Sequence, residues 1–213
     1  SLAGRVAEGL GVPASGTLDG PLNRSVPADG DSKAFQPKPA KKRLVVSPAL
    51  SMANSPRDTI RTRKIAILAA DGVEGTALAT MTAALNAAGA TVSIVSTRAG
   101  SLKTDAGREV KIDASLLNTG SVLFDAVYVP GGKEGVAALV DETRAHRFVQ
   151  EACGHGKALA ATAEGVDLLT AAGIALTNGK GTTPLSGVVV GAASQTASVA
   201  TQFIAAIAAH RHW

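Results

Sequence analysis

From residue 63 onward, short apolar runs alternate with stretches in which apolar residues recur every three or four positions. RKIAILAA, over 63–70, is an apolar run of strand length behind two cations, the pattern of a strand buried on both faces. DGVEG then turns into a helix over 75–88, which Gly89 ends in a C-cap role. TVSIVST, over 91–97, is rich in β-branched residues and predicts the second strand. SLKTDAGREVKID, over 101–113, alternates about Asp105, Ala106 and Gly107, which predicts a hairpin. FDAVYVP, over 124–130, is a further buried strand closed by Pro130, Gly131 and Gly132. A helix over 143–153, a central strand at KALAA and a helix over 164–172 follow. A short strand is expected at 174–177. A last helix is expected over about 194–210, with Val199, Phe203 and Ile207 on one face.

Strands alternating with helices require a parallel sheet covered on both faces. The expected fold is therefore a flavodoxin-like three-layer α/β/α sandwich with a mostly parallel sheet. The first third of the chain has a different pattern. Leu2, Val6 and Leu10 recur at a spacing of four, which predicts a short amphipathic helix stopped by Gly11, Val12 and Pro13. Seven of the nine prolines then fall between Pro13 and Pro56, a composition that favours extended surface-running chain. A connector this long is unusual inside a compact domain and is expected to wrap another region or subunit. Leu44, Val45, Val46, Leu50 and Met52 are apolar enough to dock. The expected division is a helix plus linker over 1–62 and an α/β domain over 63–213.

Composition sharpens this division. The formal charge of +4 is local: residues 1–63 hold 10 Lys or Arg against 5 acids, while residues 64–213 hold 11 against 12. A near-neutral α/β domain with few aromatics carries no electrostatic footprint for nucleic acid. The basic run Lys38, Lys41, Lys42 and Arg43 reads as a solvated linker face. One cysteine excludes an internal disulfide, and no apolar run approaches the roughly 20 residues that cross a bilayer. SLAGRVAEGLG lacks the charged and apolar regions of a signal peptide, so a reducing, cytoplasmic setting is expected, with no membrane partner.

The most informative stretch is KALAATAEGVDLL, over 157–169, which predicts strand, sharp turn and helix. In an α/β sheet that turn is where a nucleophile is held up at the C-terminal edge of a strand and cradled by a helix N-terminus. Here the turn carries Ala163, which cannot attack anything. The segment resembles the elbow of the intracellular-protease and class I glutamine amidotransferase-like superfamily, whose cysteine falls on Ala163 and whose neighbouring histidine falls on Glu164. Active members of that superfamily pair the cysteine with an acid after the first strand. In the corresponding stretch, residues 71–77, Glu74 survives but the acid nearest the cysteine falls on Ala77. The loop PGGKEG, over 130–135, could offer backbone N–H groups to an anion. The resemblance makes it part of an oxyanion hole left without a nucleophile.

Cys153 and His155 suggest a thiol–imidazole dyad, but they precede the elbow strand, at the edge opposite the ligand crevice of such sheets. Glu164 at a helix N-terminus reads as a favourable dipole partner, with a lone catalytic carboxylate as the alternative. His146, His210 and His212 have no zinc-like partner set, so no metal site is predicted. Tyr128, the only tyrosine, lies mid-strand and is expected in the core.

The whole chain, from RVAEGLG through the connector and RKIAILAADGVEG to FIAAIAAHRHW, looks like the C-terminal end of a large-subunit haem catalase. In that family an amidotransferase-like domain without the catalytic cysteine is appended to the catalase barrel. The resemblance implies a non-catalytic accessory domain that stabilises a homotetramer, packs on the barrel and neighbouring subunits, and acts as a chaperone toward unfolded clients. It also implies that haem and peroxide chemistry belong to the barrel. No catalytic, cofactor-binding or metal residue is therefore assigned within these residues. The competing reading is a small hydrolase, glyoxalase or deglycase using Cys153 or Glu164.

Overall fold

Strand and helix alternate in the computed structural model as the pattern requires. The structure describes residues 2–11, 48, 51, 54, 56–177 and 185–213. The chain divides into two units, Ser1–Asn54 and Ser55–Trp213. In the first, helix α1 spans Leu2–Gly9, with Ala7 buried and Val6 and Leu10 exposed. Gly11 follows it at φ 63°. The expectations for the connector over residues 12–47, for its basic run and for the apolar residues at 44–46, 50 and 52 fall outside the described residues.

In the second unit, β1 (Lys64–Leu68), β2 (Thr91–Ser96), β5 (Ala114–Ser115), β6 (Ala126–Val129), β7 (Ala158–Thr162) and β8 (Val188–Gly191) form one sheet in the order β5-β2-β1-β6-β7-β8. Every pairing in it is parallel. β3 (Ser101–Lys103) and β4 (Glu109–Lys111) make the expected hairpin as a separate antiparallel pair. The helices are α2 (Gly75–Ala87), α3 (Lys133–Val140), α4 (Thr143–Gly154), α5 (Gly165–Ala171) and α6 (Thr196–Ala209). No described helix is long and apolar enough to cross a membrane.

Alternate residues of the central strands feed two cores, one on each face. Ile65, Ile67, Ala126, Tyr128, Ala158 and Ala160 pack with Leu78, Met81 and Leu85 of α2 and Val199, Phe203 and Ile207 of α6. Their neighbours Ala66, Leu68, Val127, Val129, Leu159 and Ala161 pack on the other face with Leu139, Ala145, Phe148, Val149, Leu168 and Leu169. This is the three-layer sandwich. Each fully buried Leu, Ile or Phe contributes about 1.5–3 kcal/mol, so the sheet is fixed between its helices by apolar burial. The C-cap reading of Gly89 is realised as a Schellman motif: Gly89 N–H donates to Asn86 O at 2.9 Å and Ala90 N–H to Leu85 O at 3.1 Å.

The structure corrects one strand. Residues 174–177 do not form one; Ile174 turns inward behind α5, its N–H donating to Leu169 O at 2.9 Å, and is buried. The sheet position beside β7 is taken instead by β8, whose run of three valines lies outside every element expected from the sequence. The other expected elements occur with shorter ends. The last helix starts at Thr196 behind a 3-10 turn over Ala193–Gln195, and a second such turn covers Ser121–Leu123.

Candidate functional site

β7 delivers Thr162 to the C-terminal edge of the sheet, and the next residue makes the sharp turn. Ala163 has φ 49°, in the left-handed region that a non-glycine residue occupies at a cost of about 1–2 kcal/mol. Two contacts hold it there. Its N–H donates to Gly191 O at 2.9 Å, and its carbonyl accepts from Val166 N–H at 3.2 Å, opening α5. Gly165 lets α5 press against the end of β6, because a Cβ there would strike the Val129 carbonyl. The strained elbow is thus fully formed around a methyl group.

A cleft of about 480 Å³ lies in front of it, lined by Glu74, Asp105, Gly132, Lys133, Ala163 and Glu164 among others. The turn that follows β6 reaches the cleft at Gly132. At φ 111° Gly132 needs its missing side chain, since a Cβ would lie 2.6 Å from Glu74 N and 2.8 Å from Val73 Cα. Gly131 faces the elbow: a Cβ built on it would meet Glu74 Oε2 at 2.8 Å, Ala163 Cβ at 2.9 Å and Glu164 Oε2 at 3.1 Å. The carboxylates of Glu74 and Glu164 and the elbow methyl therefore border one point.

The backbone donor in the Gly-Gly turn is already occupied. Gly132 N–H donates to Glu164 Oε2 at 3.1 Å. That bond, with one from the residue's own backbone N–H and the charge of Lys133, holds the Glu164 carboxyl below the ordinary carboxylate range. Glu74 moves the other way, raised by burial and then by the charges of Asp105 and Glu164. Asp105 accepts from Gly75 N–H at 3.0 Å at the start of α2. The side chain in the histidine position thus puts an internal anion on the amide that would otherwise receive one. A carboxylate held ionised in this way is also a poor proton acceptor.

The remaining candidates lie elsewhere. Ala77, where an acid would be needed, is buried in α2. Cys153 sits in the last turn of α4, before β7, whereas Ala163 and Glu164 follow β7 at its other end. Burial pushes its thiol up, away from the reactive thiolate. His155 is the C-cap residue of α4, donating its N–H to Glu151 O at 3.0 Å. His146 Nε2 lies 2.6 Å from Val140 O, and His212 Nε2 lies 2.9 Å from Ala206 O. His210 ends α6 at φ 78°. Among the described residues no group of three or more His, Cys, Asp or Glu is arranged to hold a metal ion.

Haem iron can be held by a tyrosinate, and Tyr128 is not placed to offer one. Tyr128, the only tyrosine, is fully buried with its ring 6.5 Å from that of Phe203 and its hydroxyl 2.7 Å from Thr162 Oγ1. Sequence reasoning found the elbow, Glu74 and the Gly-Gly loop. It missed the Glu164–Gly132 bond and the roles of Asp105 and β8, because each depends on which loops meet at the sheet edge.

Comparison with known proteins places this geometry. A family model described as the C-terminal domain found in long catalases matches residues 61–213. The chain is 36% identical over 213 residues to Catalase-2 of Bacillus subtilis (strain 168), covering all of this chain and 26% of that protein. It is 39% identical over 174 residues to Catalase HPII of Mycobacterium avium, covering 79% of this chain and 25% of that protein. The chain thus spans about a quarter of the length of these curated relatives. Among solved structures, oxidized Toxoplasma gondii DJ-1 superposes with a TM-score of 0.59 at 19% identity, covering 67% of this chain and 89% of that one. A ThiJ/PfpI domain protein from Brachyspira murdochii does so with a TM-score of 0.60 at 20% identity, covering 69% and 97%. At these identities the structural likeness shows the fold: a DJ-1/ThiJ flavodoxin-like α/β sandwich.

Proposed function

Because the chain belongs to the family of C-terminal domains found in long catalases, we propose that it is a non-catalytic accessory domain of such a catalase. In this reading peroxide disproportionation is carried by a haem barrel outside these residues, and the domain stabilises the assembled tetramer by packing on that barrel and on neighbouring subunits. The carrying observation is the elbow itself. Its strained turn, its helix and its facing amide are kept, yet the reactive position is Ala163 and the amide is taken by Glu164. A scaffold retained without its reactive atom contributes through packing rather than through bond-making.

The test is removal of residues 55–213 from the long catalase. Peroxide turnover per haem is expected to persist while the temperature of thermal inactivation and of tetramer dissociation falls. Unchanged assembly and inactivation would overturn the reading, and so would loss of turnover from an otherwise intact tetramer. A chaperone-like action on unfolded clients is a second reading, supported by the exposed side chains of Leu117, Val122 and Leu123. It fails if equimolar protein leaves aggregation of a heated client unchanged. The enzyme reading has less support: burial pushes the Cys153 thiol up, away from thiolate, and the Gly132 N–H holds Glu164 ionised, so neither is poised as a nucleophile or base.

A further inference from the structure

The turn between β5 and β6 carries an apolar surface that the fold does not use. Leu117, Val122 and Leu123 are 66%, 79% and 59% exposed, three large apolar side chains within seven residues. They are not loose. Leu116 and Phe124 are buried at either end of the turn, Phe124 with its ring 5.9 Å from that of Phe148. Lys157, itself buried, donates from Nζ to the Ser121 carbonyl at 2.6 Å. The backbone is satisfied locally as well: Leu123 N–H donates to Gly120 O at 3.3 Å and Phe124 N–H to Ser121 O at 3.0 Å. A buried ammonium and two core anchors therefore hold an apolar ridge outward.

Beside the ridge, a cleft of about 410 Å³ opens from Leu117 toward α4, where Arg147, paired with Glu151 at 2.7 Å, and Arg144, paired with Glu142 at 3.3 Å, form a polar rim and Phe148 also lines it. An apolar ridge bordered by an ion-paired polar rim, anchored at both ends, is the composition of a docking surface. We propose that this ridge docks onto the preceding part of the long chain. The occupant follows from length: the chain spans 26% and 25% of the relatives it matches, so about three quarters of such a protein lies outside it. A covalently attached body is held at high effective concentration, so a small patch of this kind is enough to seat it. The inference rests on the accessory-domain reading and names its surface.

The experiment compares hydrogen exchange over residues 116–124 in the long catalase and in the 213-residue chain, each with and without Val122→Asp plus Leu123→Asp. Exchange is expected to be slower in the long protein by about tenfold or more, with the two substitutions removing that protection. The substituted 213-residue chain should keep its melting temperature within about 2 °C, since exposed positions change stability little. A milder pair, Val122→Ser and Leu123→Ser, gives the same comparison if the aspartates impair folding of the long protein. Equal exchange in both proteins overturns the proposal. So does a lowered melting temperature of the 213-residue chain, which would mean the ridge is covered within it. Conversion of a dimeric 213-residue chain to monomer would assign the ridge to a second copy, and loss of client capture with exchange unchanged would assign it to clients. If deleting residues 55–213 destabilises the tetramer but the ridge variants do not, the accessory role stands and this surface is wrong.

Discussion

Ala163→Gly tests whether the elbow's strain still serves a purpose. At φ 49° the alanine holds a conformation that costs an L-residue about 1–2 kcal/mol and glycine almost nothing. Glycine gives back about 0.5–1 kcal/mol through the greater freedom of the unfolded chain, leaving a net gain of roughly 0.5–1 kcal/mol. For a unit the size of Ser55–Trp213 each kcal/mol moves the melting temperature by about 2–4 °C. The variant should therefore melt about 1–4 °C higher in calorimetry or denaturant unfolding, with an unchanged m-value. In the long catalase its peroxide turnover should match that of the parent. A lower melting temperature would show that the methyl group is needed for packing against Gly131. A fall in turnover would show that the elbow takes part in function, and either result would refute the reasoning.

Ala163→Cys should regain only a sluggish thiol, because Glu74 and Glu164 oppose the thiolate and Glu164 occupies Gly132 N–H; adding Glu164→Gln should raise its alkylation rate at neutral pH by about fivefold or more. Gly132→Ala should cost about 3 kcal/mol or more, read as loss of soluble protein or of the cooperative transition, since its Cβ would lie 2.6 Å from Glu74 N. Tyr128→Phe should cost about 1–3 kcal/mol by leaving the buried Thr162 hydroxyl unpaired, and adding Thr162→Val should recover part of it in a double-mutant cycle. Burial, opposed by the Thr162 bond and aided by the charge of Glu74, pushes the Tyr128 phenol up to about 12, against about 10 in the unfolded chain. Above pH 10 the unfolded state therefore binds fewer protons than the folded one, and stability should fall by about 3 kcal/mol in all between pH 10 and 12. As Tyr128 is the only tyrosine, its absorbance titration reads this directly, and a phenol ionising near pH 10 in the folded protein would contradict the burial.

The layered plan and the lack of a nucleophile at the elbow are both legible along the chain. Apolar strand-length runs can only be buried on both faces, and amphipathic helices between them must supply the cover, so the sandwich follows from periodicity. An alanine in the turn after the central strand is legible as lost chemistry because the turn is local, a strand end meeting a helix start. Local signals also misled: Ile174 and Leu176 fit a strand, but the place beside β7 went to the three valines of β8, which pair over their whole length. What now fills the site emerges only from the packed fold. Glu164 reaches Gly132 across 32 positions of sequence, and Glu74 meets both at the C-terminal ends of neighbouring strands. The rigid ridge over residues 117–123 likewise depends on Lys157, 36 positions beyond the carbonyl it holds. Such meetings are set by strand order, which packing chooses and no spacing along the chain encodes.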